Sequence, residues 1–176
     1  MDKGFNYDDV SQYTLEQEDE QALIAAQNEC TFMWSTKDGW PVGVIMSYVY
    51  TRGFFWLSVS SLRVRVQAVA REPRTSISIT SKGCDLEAPF SLTYKGTCEV
   101  LSDQETIDWF LAALAKRLRA GDEDAQREFV RLNNTVNRRV LKFKPVKTIG
   151  FDSRKMRQAT LDAKQAKDLY GRGVKE

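Results

Sequence analysis

The sequence predicts a mainly β protein: a small closed or partly closed antiparallel sheet with peripheral helices at its ends. Three observations predict it. Short β-rich runs alternate with glycine turns in the first half, and a strongly amphipathic helical stripe follows in the second. The 176 residues are 42% hydrophobic, enough for one sizeable core. The expectation is one domain over 1–176, with 1–13 as an N-terminal arm and 153–176 as a charged C-terminal tail.

Thr14 with Gln17 has the form of a capping box. Leu15, Leu23, Ile24 and Ala26 supply the apolar stripe of a first helix ending near Asn28. Runs 30–36, 41–50 and 54–59 then read as three strands of a meander. The turns between them hold Asp38-Gly39 and Arg52-Gly53, because glycine reaches positive φ without a Cβ clash. Residues 60–73 mix strand-like alternation at Arg63-Val64-Arg65-Val66 with helical spacing of Leu62, Val66 and Val69. Helix is the reading adopted, with Ser61 as N-cap and a stop before Pro73.

Strands at 75–81 and 90–101 flank a polar loop, Lys82 to Pro89. Ser102 with Glu105 forms a second capping box, and Ile107, Phe110, Leu111, Leu114 and Leu118 make the clearest stripe in the chain, stopping before Gly121. A shorter helix at 123–133 precedes a last strand at 138–144 and, beyond Pro145, a second extended piece at 146–151. A weak helix with Ala163, Ala166, Leu169 and Tyr170 on one side and Gly171 as its stop is expected in the tail.

Twenty-six basic and 24 acidic side chains give a net charge of +2, no field for gathering DNA or an anionic membrane. The ends differ: residues 1–20 carry seven acids, residues 138–176 twelve Lys or Arg. The basic end alternates in sign without an aromatic ladder, so no nucleic-acid partner is expected. Cys30, Cys84 and Cys98 are odd in number and far apart, which suggests neither a disulfide framework nor a thiolate metal cage. With no signal-peptide pattern and no apolar run of spanning length, the expectation is a soluble, cytoplasmic protein with no membrane partner. The sequence contains no histidine. That removes Ser-His and Cys-His nucleophile pairs, the usual zinc sites and a histidine ligand to haem. Redox or group-transfer chemistry must then come largely from a cofactor, or from carboxylate, Lys, Tyr or Cys.

Residues 30–81 resemble the pyridoxamine 5′-phosphate oxidase-like flavin- and deazaflavin-binding proteins. Their pattern is a strand, a D-G turn, a Pro-led strand, a third strand, and a basic helix closing before a proline. Asp38-Gly39, Pro41, Arg63 with Arg65, and Glu72-Pro73-Arg74 stand in those places. Leu92-Thr93-Tyr94-Lys95-Gly96-Thr97 and the stretch Pro145 to Asp152 extend the resemblance over about residues 14–156. It implies a six-stranded antiparallel split β-barrel, an FMN-binding split barrel. It also implies a flavin-dependent oxidoreductase acting on a small-molecule substrate, with FMN as cofactor and a homodimer closing each site.

By the same resemblance the cofactor phosphate lies where the third strand enters the following helix. Ser60 and Ser61 offer hydroxyls there, the helix start offers free N–H groups, and Arg63 and Arg65 add charge. The ring edge meets the second strand around Val44, Ile45, Met46 and Ser47, with Ser91 of the fifth strand near it. For Met46 and its apolar neighbours a core role is the default. The aromatic residues Trp34, Trp40, Trp56, Tyr48 and Tyr50 suffice for both a barrel core and a subunit interface.

Departures narrow the reading. True pyridoxamine phosphate oxidases carry a C-terminal segment with Trp, Arg and His; this chain ends Lys-rich, so pyridoxamine phosphate is not the expected substrate. Val64 stands where some relatives place a second basic residue. No catalytic residue is assigned; Tyr94, Lys95, Asp85 and Glu87 are candidates by position alone, and packing or solvated charge is the default for each. The alternatives are a deazaflavin-dependent reductase, with Lys82 and the C-terminal basic cluster meeting its acidic tail, and a non-catalytic flavin- or haem-binding module.

Overall fold

A computed structural model describes residues 6, 8–86 and 89–165. Its elements are α1 (Gln17–Ala26), β1 (Glu29–Ser35), β2 (Pro41–Thr51), β3 (Phe54–Ser60), α2 (Val64–Arg71), β4 (Arg74–Thr80), β5 (Phe90–Leu101), α3 (Gln104–Leu118), α4 (Glu123–Asn133), β6 (Arg138–Asp152) and α5 (Ser153–Gln165). The six strands close into an antiparallel barrel in the order β1-β2-β3-β6-β5-β4. The predicted strands stand within a residue or two of their expected bounds up to β5. Gly39 and Gly53 turn the first two hairpins at φ of +88° and +78°, with Arg52 also left-handed at +54°, as a two-residue primed turn requires.

Alternation decides what fills the barrel. Phe32, Tyr48, Phe55, Leu57, Ile77, Leu92, Leu141 and Phe143 point inward and are wholly buried. The outer face of β2, β3 and β6 is covered by α3, whose Ile107, Phe110, Leu111 and Leu114 pack on Trp56 and Val140, with Phe129 and Val130 of α4 alongside. Arg117 of α3 reaches the end of α1 and donates to the carbonyls of Ile24, Ala25 and Gln27, so a cation ties off the negative end of that helix.

At the other end of α1, Asp152 is 1% exposed and receives Arg154 through two guanidinium nitrogens, Nε at 3.1 Å and Nη2 at 2.8 Å. Arg154 also bonds Asp19, and Lys155 bonds Glu16, which fastens α5 to α1. Burial pushes Asp152 up, but the hydrogen bonds from Arg154 outweigh it and hold the carboxyl below its ordinary range.

Four expectations need correction. The helix starts are not where the capping boxes predict. Glu16 precedes α1 without a side-chain cap, Arg63 rather than Ser61 precedes α2, and Asp103 rather than Ser102 caps α3 by accepting from Thr106 N at 2.8 Å. Pro145 does not divide the last strand, because a bulge absorbs it. Lys95 pairs Lys147 and Gly96 pairs Pro145, which leaves Val146 as the extra residue. Gly96 is needed there, since a Cβ would lie 2.1 Å from Lys144 O and 2.6 Å from the Phe143 ring. The tail helix is present as α5, with Ala163 buried; Ala166, Leu169, Tyr170 and Gly171 lie outside the described residues.

Candidate flavin site

Opposite the covered face, the outer surface of β2, β1, β4, β5 and the second half of β6 carries no helix among the described residues. Register aligns its side chains in rows: Ile45, Thr31, Ser78, Thr93 and Ile149 form one, and Gly43, Met33, Ser76, Lys95 and Lys147 the next. Short side chains dominate, and Ile45 is 64% exposed. At Gly43 a Cβ would crowd Thr31 Cγ2 at 2.9 Å and Met33 Cγ at 3.1 Å, so the surface is flattest there.

Of the expected ring-edge residues, Ile45 and Ser47 lie on this open face. Val44 and Met46 turn inward, Met46 into the buried core, so only their backbone can serve a ligand. Ser91 is on the open face but not beside β2. It pairs Thr80 of β4, and three strand spacings, roughly 14 Å at ~4.8 Å each, separate it from Ser47. One protomer therefore does not bring Ser91 and the β2 residues onto one ring edge.

The loop from β3 into α2 leaves the barrel after Ser60, past the last β2–β3 pair, Tyr48 with Leu57. Arg63 stands at the N-cap and Arg65 in the first turn; no side chain caps that turn and no acid lies in it. Neither arginine forms a salt bridge among the described residues. Arg65 is half-buried, its Nε has no hydrogen-bond partner, and burial followed by the charge of Arg63 pulls its pKa down. Ser60 Oγ accepts from Leu62 N at 3.3 Å, and Ser61 Oγ donates to Asn137 Oδ1 at 3.2 Å, while Ser61 N donates to Asn137 O at 2.7 Å. Unpaired guanidinium charge and free N–H groups at an uncapped helix start fit a phosphate.

Asn137 and its neighbour Arg138, which donates to Ser58 Oγ at 2.8 Å, are the site residues that sequence reasoning missed. Their role depends on β3 pairing with β6, almost eighty positions away, and only an N-R dipeptide at a strand start hinted at it.

The candidate acids fare differently. Tyr94 faces the barrel interior, donates to Glu20 Oε1 at 2.5 Å, and is driven far above its ordinary pKa by burial and that carboxylate, which makes it structural. Lys95 lies on the open face, Asp85 is in the loop, and Glu87 is outside the described residues. Burial pushes the Cys30 thiol up to about 12 and also raises Cys98, so neither is a ready thiolate.

The family model described as Pyridoxamine 5′-phosphate oxidase matches residues 17–149. The chain belongs to this family. The closed six-stranded barrel agrees with it. No curated protein matches the chain. Among solved structures, the conserved hypothetical protein Rv2991 of Mycobacterium tuberculosis superposes with a TM-score of 0.69 at 18% identity, covering 82% of this chain and 90% of that one. An FAD-binding protein of Mesorhizobium loti gives 0.58 at 17% identity, covering 78% and 94%. HutZ, the haem storage protein of Vibrio cholerae, gives 0.62 at 11% identity, covering 77% and 93%. At these identities the likeness is one of fold. No helix of the described residues is long and apolar enough to cross a membrane.

Proposed function

We propose that this protein binds FMN and acts as a flavin-dependent oxidoreductase on a small organic substrate, with two copies closing each flavin site across their open faces. The observation that carries the reading is the start of α2, where Arg63 and Arg65 stand uncompensated and the Arg65 Nε is buried without a partner. A phosphate at that mouth supplies the missing acceptor and relieves the repulsion between the two guanidiniums. Asn137 orients the Ser61 hydroxyl, and the Ser60 hydroxyl keeps its proton free to donate to the ligand.

From the phosphate cradle the open face leads along β2, where Ile45 and the backbone of Val44 to Ser47 offer an apolar wall and ladder-edge groups to a planar ring. Bound flavin supplies hydride or electron transfer. The protein's part is to fix its orientation and, through the partner subunit, to exclude water. The FAD-binding relative of the same fold supports a flavin here, and the lack of any histidine disfavours the haem role of HutZ.

An absorption titration with FMN and, separately, with the deazaflavin cofactor tests the proposal. Saturable FMN binding that falls about tenfold or more in the Arg63→Ala/Arg65→Ala variant is expected, from the loss of charge-assisted bonds worth about 1.5–3 kcal/mol each. Preference for deazaflavin would change the cofactor, and binding of neither would overturn the oxidoreductase reading.

A further inference from the structure

Pairing between β1 and β4 stops at Met33 and Ser76, although β1 runs on to Ser35 and β4 begins at Arg74. The two ends part, and a cleft of about 540 Å³ opens in the gap, lined by Met33, Trp34, Pro41, Thr75, Lys95 and Val146 among others. Its walls are mostly apolar.

Two polar features stand out against them. Thr75 is 6% exposed, lines the cleft, and its Oγ1 is buried without a hydrogen-bond partner. A buried hydroxyl left so is costly unless something else satisfies it. Lys95 of β5 lines the cleft and in the ladder stands directly opposite Lys147 of β6, with Lys144 one row away opposite Thr97. Like charges facing across a ladder destabilise a sheet. None of the three lysines forms a salt bridge among the described residues, and Glu72, the acid nearest in the chain to this gap, is occupied by Arg74 at 2.5 Å.

We propose that this cleft is a second binding site, for an organic anion with a planar apolar body and a phosphate or carboxylate head. The body lies between Met33, Trp34 and Pro41, the Thr75 hydroxyl bonds it, and Lys95 with Lys147 receives the charge. The site lies apart from the phosphate cradle, on the row of the open face next to that of Ile45. Arg63 marks one end of α2 and the cleft adjoins the other, and eight helical residues span about 12 Å.

Calorimetric titration of the full-length protein with 1-naphthyl phosphate and with 1-naphthoate tests this and distinguishes the two heads. Saturable binding of at least one is expected, weakened about tenfold in Lys95→Gln and about fivefold in Thr75→Val, with the Arg63→Ala/Arg65→Ala variant unchanged. Both single variants should also melt higher than the parent without ligand, since each removes a cost that the ligand would otherwise offset. The proposal is overturned if neither probe binds the parent protein, if both single variants bind within twofold of it, or if binding is lost only in the arginine variant. The arginine variant separates this outcome from failure of the flavin reading.

Discussion

The two outer faces of this barrel come from the same six strands and have opposite compositions. Where α3 lies, the strands present Trp56, Val140, Val49 and Phe54, and Lys142 crosses the Phe54 ring at 4.4 Å. Where no helix of the described residues lies, they present Gly43, Ser76, Ser78, Thr93 and two facing lysines, with Ile45 and Ile149 as isolated apolar points. The first face is designed for permanent burial by the chain itself. The second is too polar for that and too little charged to be indifferent surface, which suits the proposed flavin and partner subunit.

This contrast predicts where stability and function respond. Phe110→Ala on the covered face should cost about 3–5 kcal/mol in urea unfolding, because a wholly buried ring leaves a cavity the helix cannot close. A loss under ~1 kcal/mol would mean that α3 is not integral to the barrel. Gly96→Ala, at the bulge that joins the two faces, should cost about 1–3 kcal/mol by overpacking against Lys144 O and Phe143, read as a lower melting temperature.

Asp152→Asn should cost about 1–3 kcal/mol at neutral pH through its charged hydrogen bonds. Because the folded carboxyl titrates below its unfolded value of roughly 3.9, its contribution is complete above that pH and vanishes as pH falls through the folded value. The urea midpoint of the variant should therefore fall less steeply than the parent's over that acid range. The smallest stability effect belongs to the open face. Ile45→Lys should change unfolding by less than about 0.5 kcal/mol yet, if the proposed dimer closes across this face, shift sedimentation from dimer to monomer; an unchanged sedimentation coefficient would overturn that closure.

Much of this architecture was legible beforehand, for identifiable reasons. Asp38-Gly39 and Arg52-Gly53 punctuate strands whose alternation is strict, and the α3 stripe has a helical period over four turns. The caps were misread because Ser61 and Ser102 are good N-cap residues one or two positions from where the backbone actually turns. Propensity does not locate that turn. The continuity of β6 was hidden by Pro145, which forfeits one ladder donor that the adjoining bulge at Val146 makes unnecessary.

At the candidate site, Arg63 and Arg65 stood out in the sequence because they are local, two apart on a helix start. The facing of Lys95 and Lys147, and the parting of Trp34 from Thr75, involve residues tens of positions apart whose meeting is fixed only by barrel closure. Ser91 was placed near the ring by resemblance, but register sets it across the sheet, where a ring on β2 is reached only from another copy or not at all.

The grip of Arg117 on α1 imposes an order of events during synthesis. Ten residues make too short a helix to persist alone in water. The carbonyls of Ala25 and Gln27 meet the Arg117 donor when position 117 has been made, about ninety residues later, whereas Ile24 O also accepts from the earlier Tyr48 hydroxyl. At ~5–20 residues per second, the newborn N-terminus waits on the order of ten seconds for its clasp, and β1 must find β2 and β4 meanwhile without a finished helix beside it.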